Sequence, residues 1–308
     1  MIMNGVGEMK KLLFIYNAKS GTAAISKKLA EIIDIFIKHG YYVDAYQTQS
    51  ALDAKQQIIE RGNQFDLVVC SGGDGTLNEV ASGLMQLEDR PVIGYIPSGS
   101  TNDFAGSIGL EKDMLVNARI AVSGKPYKVD IGSFNDKNFV YIAAFGIFTE
   151  VSYSTSQKLK NVLGHQAYVV EGIKSLPSVK SYRVRFEYDG NVIEDDFIYG
   201  MVSNSNSAGG FKGIMGSDVI LDDGLYEVTL VKTPRNPAEL ANIAQALLSK
   251  KKSSEYIYSF KISELKVYSD EEIAWTVDGE NGGSYREVTI KNNPNAITVI
   301  GYDAKEKE

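Results

Sequence analysis

Hydrophobic and polar positions follow two different rhythms along this chain. Up to about residue 125, short apolar runs alternate with helical stretches. Residues 11–16 form an apolar run that ends in the polar turn Asn17-Ala18-Lys19-Ser20-Gly21. Leu29, Ile32, Ile33, Phe36 and Ile37 then recur at helical spacing, and Gly40 closes the helix. Residues 42–46 read as a second strand. Ser50 is expected to cap a helix that runs through Arg61 and stops at Gly62. Residues 66–70 predict a third strand, 77–87 a third helix and 92–96 a fourth strand, with a further helix starting near Thr101 or Asn102. This repeating βαβ order predicts a parallel, doubly wound sheet. Such sheets bind ligands at the carboxyl ends of their strands. The segments 17–21, 71–76 and 97–103 all lie just past such ends.

After about Pro126 the rhythm becomes that of strands. Residues 128–134 and 139–144 predict a hairpin across Asn135-Asp136-Lys137-Asn138, and 182–188 with 192–202 another, turning at Asp189-Gly190-Asn191. Further β-rich runs cover 226–232, 260–268, 273–277, 287–291 and 296–300. Helices are expected over 155–175 and over 237–251, the second with Pro237 at its start. The expected organisation is therefore an α/β domain over 9–126 and a mostly antiparallel β domain over 127–295, with 296–308 returning to the first. The 308 residues suit two domains, at about 100–200 residues each.

Composition narrows the chemistry. With 32 Lys and Arg against 39 Asp and Glu, the net charge is −7, which argues against gripping nucleic acid by its phosphates. The basic triplet Lys250, Lys251 and Lys252 reads as a solvated helix end. The single cysteine, Cys70, excludes an internal disulfide and reads as a buried thiol in a core strand. The two histidines, His39 and His165, leave little room for a Ser-His-Asp or His-metal centre. No apolar run approaches the roughly 18–20 residues of a membrane span, so a cytoplasmic protein is expected, one that visits a membrane only at its surface.

The strongest motif is Ser71-Gly72-Gly73-Asp74-Gly75-Thr76-Leu77-Asn78-Glu79-Val80. Glycines directly after an apolar strand let backbone approach a ligand, and amides opening the following helix can cradle phosphate. Asp74 would repel phosphate there unless a metal intervened, which points to Mg²⁺. Pro97-Ser98-Gly99-Ser100-Thr101-Asn102-Asp103-Phe104-Ala105 follows the next strand in the same way. Neither the P-loop nor the dinucleotide fingerprint occurs. In the second domain, Asp278 and Glu280 lie two apart. On a strand they would share a face, where mutual repulsion can raise one carboxyl, while Asp278-Gly279-Glu280-Asn281-Gly282-Gly283 also reads as a plain hairpin turn.

Taken in order, these motifs resemble the diacylglycerol kinase catalytic-domain family, which includes bacterial lipid kinases and sphingosine kinases. That family is distantly similar to NAD kinase and phosphofructokinase, and the resemblance implies their fold for the first domain. The likeness extends to Leu221-Asp222-Asp223-Gly224-Leu225 and Trp275-Thr276-Val277-Asp278-Gly279-Glu280, and so covers nearly the whole chain. It implies ATP at Asn17, Ala18, Lys19, Ser20, Gly21, Thr48, Gly72, Gly73, Asp74, Gly75, Thr76, Leu77, Asn78 and Ser100. It implies Asp74, Asp103 and Asp130 near the phosphates and Mg²⁺, and Glu280 as general base. It further implies a structural Mg²⁺ at Asp223 with the carbonyls of Ile220 and Leu225. Two positions depart from the family pattern: Gly106 and Thr22 stand where basic residues are common. The expected activity is transfer of the γ-phosphate of ATP to a lipid alcohol, with diacylglycerol as the default acceptor. A homodimer is compatible with the sequence. The rival readings are a kinase of soluble substrates, similar to NAD kinase, and a nucleotide-sensing protein without turnover.

Overall fold

The computed structural model describes residues 9–147, 180–205, 207–208, 211–212, 219–248 and 254–302. The chain divides into two compact units, Met1–Asp130 with Asn295–Glu308, and Ile131–Pro294.

In the first unit, strands β1 (Lys10–Tyr16), β2 (Tyr41–Gln47), β3 (Leu67–Gly72) and β4 (Val92–Pro97) pair in parallel in the order β2-β1-β3-β4. Val299 and Ile300, near the end of the long final strand Glu280–Gly301, add a further parallel lane beside Ile93 and Gly94 of β4. Helices α1 (Ile25–Lys38) and α4 (Met114–Ser123) pack on each other, as do α2 (Asp53–Arg61) and α3 (Asp74–Leu84). Leu12, Phe14, Leu67, Val69 and Ile96 form one core with Ile32, Phe36, Ala118 and Ala121. The alternate residues Leu13, Ile15, Val68 and Cys70 are buried as well. Successive strand residues point to opposite faces, so strands covered on both sides read as unbroken apolar runs.

Three helix boundaries differ from the sequence expectation. Ser50 does not cap α2. That helix starts from Leu52 without a cap from its own segment, and the Glu79 carboxylate of α3 accepts the Leu52 N–H at 2.9 Å and the Ala54 N–H at 3.2 Å. A cap supplied from another helix leaves no trace at local spacing. Helix α3 begins inside the glycine loop, three residues before the apolar periodicity starts. The helix expected near residue 101 is a short 3₁₀ turn, Phe104–Ile108, ended by Gly109 in the left-handed region, and α4 follows it.

The second unit is antiparallel. It contains the end of β5 (Lys125–Phe134), from Ile131 onward, then β6 (Lys137–Phe139), β7 (Ile142–Gly146), β8 (Tyr182–Tyr188) and β9 (Asn191–Ser203). The short pair β10 (Ser207–Ala208) and β11 (Phe211–Lys212) precedes β12 (Tyr226–Lys232), helix α5 (Pro237–Leu248), β13 (Ile257–Ile262), β14 (Glu264–Val277) and most of β15 (Glu280–Gly301). The main path runs β13-β12-β9-β7-β14-β15. Strands β7 and β8 both lie between β9 and β14, at successive stretches of those long strands. They share one lane, which explains why the partner predicted for β5 over 139–144 is split: only β6 closes that hairpin. The runs predicted at 287–291 and 296–300 are one strand, whereas 260–268 divides at Ser263. The helix expected over 155–175 and the triplet at Lys250 lie outside the described residues. Trp275 anchors the core, its ring 5.1 Å from Phe134 and 4.8 Å from Phe145.

Candidate active site

The three loops beyond β1, β3 and β4 are stitched together by backbone hydrogen bonds. Asn17 N–H donates to the Ser71 carbonyl at 2.8 Å, and the Ser98 and Gly99 amides donate to the Gly72 carbonyl at 2.8 and 3.2 Å. Thr48 N–H donates to the Tyr16 carbonyl at 3.0 Å and so joins the same edge. Glycine is required at this seam by contact. A Cβ on Gly99 would lie 2.5 Å from the Gly73 Cα, and one on Gly21, itself at φ +55°, would collide with the Ser98 carbonyl. Gly73 takes the N-cap position of α3, so Asp74, Gly75, Thr76 and Leu77 form its first turn and Asn78 its second. The edge therefore combines closely approaching backbone with a helix N-terminus, the arrangement that receives anions.

Asp74 and Asp103 are buried beside this seam, at 9% and 4% exposure. The Asp74 carboxylate accepts the Asp103 N–H at 3.0 Å and the Phe104 N–H at 3.4 Å, which ties the glycine loop to the 3₁₀ turn. Asn102 holds the intervening loop at φ +53°, its Oδ1 accepting from Gly99 N–H at 3.0 Å and its Nδ2 donating to the Gly99 carbonyl at 2.8 Å. Asparagine tolerates that conformation better than most residues. Beneath the loops the Tyr95 hydroxyl donates to the Gly72 carbonyl at 3.3 Å, and burial with the neighbouring Asp74 holds it well above the usual phenol range. Ser100 is exposed at the tip of the loop, and Lys19 is exposed in the first. A Cβ on Gly106 would meet nothing within 4 Å, so the missing basic side chain has left open space.

Asp130 is fully buried and accepts the Asn295 N–H at 2.7 Å, fastening the points where the chain leaves and re-enters the first unit. In the second unit, Asp278 and Gly279 form the two-residue turn between β14 and β15. Both have positive φ, +48° and +81°, as a type I′ hairpin requires. The expectation that Asp278 and Glu280 share a strand face fails for this reason. Asp278 sits in the turn, buried, with its carboxylate accepting the N–H groups of Val140 at 2.7 Å and of Tyr141 and Ile142 at 3.0 Å. Glu280 opens β15 and is exposed. Asp223 accepts the Leu225 N–H at 3.0 Å and pairs with Lys261 at 2.8 Å, while Ile220 is exposed. Among the described residues no group of three or more acidic, histidine or cysteine side chains is disposed to hold a metal. At the Asp223 turn the magnesium expected from the resemblance does not fit as drawn, because an ammonium already takes the cation's place. Asp74 and Asp103, two buried carboxylates beside an anion-receiving edge, do have the hard oxygen donors that Mg²⁺ takes.

Residues 11–134 match the family model described as diacylglycerol kinase catalytic domain, and 143–301 match the YegS C-terminal NAD kinase beta sandwich-like domain. The chain is 37% identical over 278 residues to a diacylglycerol kinase of Bacillus subtilis, covering 89% of this chain and 91% of that one. It is 37% identical over 281 residues to a diacylglycerol kinase of Staphylococcus carnosus, covering 89% and 90%. A crystal structure from Bacillus anthracis matches with a TM-score of 0.81 and 25% identity over 99% of both chains. The chain belongs to the diacylglycerol kinase catalytic-domain family, with a β-sandwich second domain of the NAD-kinase-like type. It is an ATP-dependent lipid kinase by class.

Sequence reasoning missed Tyr95, Glu79 as a cap, and the anchoring role of Asp278. A tyrosine in an otherwise apolar strand was the available signal for the first, since a buried hydroxyl needs a partner. The other two act across contacts between distant segments and had no local signal.

Proposed function

We propose that the protein transfers the γ-phosphate of ATP to the free hydroxyl of diacylglycerol, with Mg²⁺ accompanying the nucleotide. The observation that carries this reading is the glycine seam of Gly21, Gly73 and Gly99, where three loops bring backbone rather than side chains to one edge at the start of α3. Backbone amides and a helix N-terminus bind and orient phosphates, and phosphoryl transfer depends chiefly on such placement and charge neutralisation. Bound Mg²⁺ would be held by Asp74 and Asp103 and would neutralise phosphate charge. Glu280 is the proposed base: an exposed carboxylate, fixed at the exit of a tight turn, takes the hydroxyl proton as the lipid oxygen attacks the γ-phosphorus. The bond from that phosphorus to the ADP leaving oxygen breaks in the same displacement. The choice of diacylglycerol follows the names of the relatives, and turnover takes place at a membrane surface where that lipid resides.

The test is a phosphoryl-transfer assay with labelled ATP across lipid and soluble acceptors, with the product identified by mass. Phosphatidic acid formed from diacylglycerol, dependent on Mg²⁺, is expected. Labelling of a soluble acceptor in its place would favour the NAD-kinase-like alternative.

A further inference from the structure

The acidic turn before β12 carries a positive charge of its own. Lys261 Nζ lies 2.8 Å from Asp223 Oδ2 and 3.1 Å from Glu227 Oε1. The ladder sets this up: Glu227 of β12 and Lys261 of β13 are direct partners across antiparallel strands, and such pairs meet on one face of a sheet. Asp223 belongs to the turn that feeds β12, and its other oxygen is taken by the Leu225 N–H. The side chains of Asp223 and Glu227 are only 20% and 16% exposed. Glu227 Oε2 is buried without a hydrogen-bond partner among the described residues. Burial pushes the Glu227 carboxyl up despite Lys261, and the bond to Asp223 holds the lysine above its ordinary range.

We infer that Lys261 is a tethered cation seated where the family resemblance calls for magnesium, and that the ammonium and a divalent ion exclude each other at the Asp223–Glu227 pair. The charges give the reason. Two carboxylates facing one ammonium leave the turn with one negative charge, while a second, divalent cation would sit beside the ammonium and repel it. Without Lys261 the same oxygens carry two negative charges in a partly buried setting, and hard oxygen donors of that charge recruit Mg²⁺. The partnerless Glu227 Oε2 is an acceptor that such an ion would meet and that Lys261 leaves unused. The turn is thus ordered by the chain itself, whatever the metal concentration.

The experiment measures the Mg²⁺-dependent part of the melting temperature in the full chain without nucleotide. Wild type, Lys261→Met, Lys261→Arg and Asp223→Asn are each melted in EDTA and in MgCl₂. Lys261→Met is expected to melt lower in EDTA and to regain a few degrees with Mg²⁺, while the other three shift little and equally. A wild-type shift as large as that of Lys261→Met overturns the inference, because the ion would then bind alongside the ammonium. A Lys261→Met variant that does not respond to Mg²⁺ overturns it too, whether or not it melts lower. Should Lys261→Met not fold, Mn²⁺ binding to wild type, read by electron paramagnetic resonance, decides. A bound ion that Asp223→Asn abolishes refutes the inference, and the absence of such an ion upholds it.

Discussion

Gly99 and Gly73 meet backbone to backbone, yet the contact is not symmetrical. A Cβ on Gly99 would lie 2.5 Å from the Gly73 Cα, whereas a Cβ on Gly73 would lie 3.4 Å from the Gly99 Cα and 3.9 Å from Ser20 Oγ. The first distance forces something to move and the second is ordinary contact. Gly99→Ala should therefore push the loops apart and lower melting temperature and ATP affinity together. Gly73→Val should leave the melting temperature nearly unchanged, because a Cβ there makes only ordinary contacts, while it adds bulk where backbone would approach phosphate. Calorimetry should show its ATP affinity reduced by an order of magnitude or more. Wild-type affinity in a folded Gly73→Val protein would place the nucleotide elsewhere.

Glu79 and Ser50 offer rival caps for α2, and only Glu79 makes the bonds. Removing a helix cap costs about 0.5–2 kcal/mol. Glu79→Ala should lose stability in that range in urea titrations, and it also releases Leu52, which is held at φ +65°. Ser50→Ala should change stability by less than about 0.5 kcal/mol, as surface substitutions do. Equal losses from the two variants would contradict the cross-helix cap.

The hairpin at residues 278–280 separates support from chemistry. Asp278→Asn removes a charged acceptor of three buried amides, and hydrogen bonds to charged groups contribute about 1.5–3 kcal/mol. It should lower the melting temperature clearly. Glu280→Gln should leave stability alone, since the side chain is exposed, yet lower turnover by roughly 10²-fold or more, the scale of a general base. ATP affinity should stay within a few-fold. Near-normal turnover in Glu280→Gln, with chemistry rate-limiting, would remove Glu280 from the mechanism and make Asp74 or Asp103 the next candidate.

Cys70 is fully buried on β3, and burial pushes its thiol up to about 12. A thiol is reactive as the thiolate. The native protein should therefore resist Ellman's reagent at pH 8 and react with one equivalent in denaturant. Rapid labelling of the folded protein would show that β3 opens without global unfolding.

The first unit was largely legible because its strands, buried on both faces, read as apolar runs punctuated by glycine-rich turns. The three loops were recognisable for the same reason: a short stretch rich in small and polar residues, with serine and glycine in each, follows every run. The second unit was less legible. Its hairpin at 189–190 announces itself through Asp-Gly, but the lane shared by β7 and β8 is set by strands far away in sequence. Asp278 shows the limit most clearly. The sequence left open whether residue 278 lies on a strand beside Glu280 or in a hairpin turn, and only the amides of residues 140–142 reveal that its carboxylate is an anchor. Lys261 lies in an ordinary strand run, and its two acidic partners become visible only when β12 and β13 are paired.

The Asp130–Asn295 hydrogen bond joins residues 165 apart in the chain, and beyond it Val299 and Ile300 complete the parallel sheet beside β4. On a ribosome, that last lane emerges after everything between has been made. From the end of β4 to Val299 is about 200 residues, and at about 5–20 residues per second the delay is roughly 10–40 s. Throughout it the outer edge of β4 presents unpaired backbone, the kind of edge on which chains aggregate. The nascent protein thus has a window of vulnerability that closes only when its final strand arrives. A circular permutant that starts at Asn295 would synthesise that strand first and shorten the exposure.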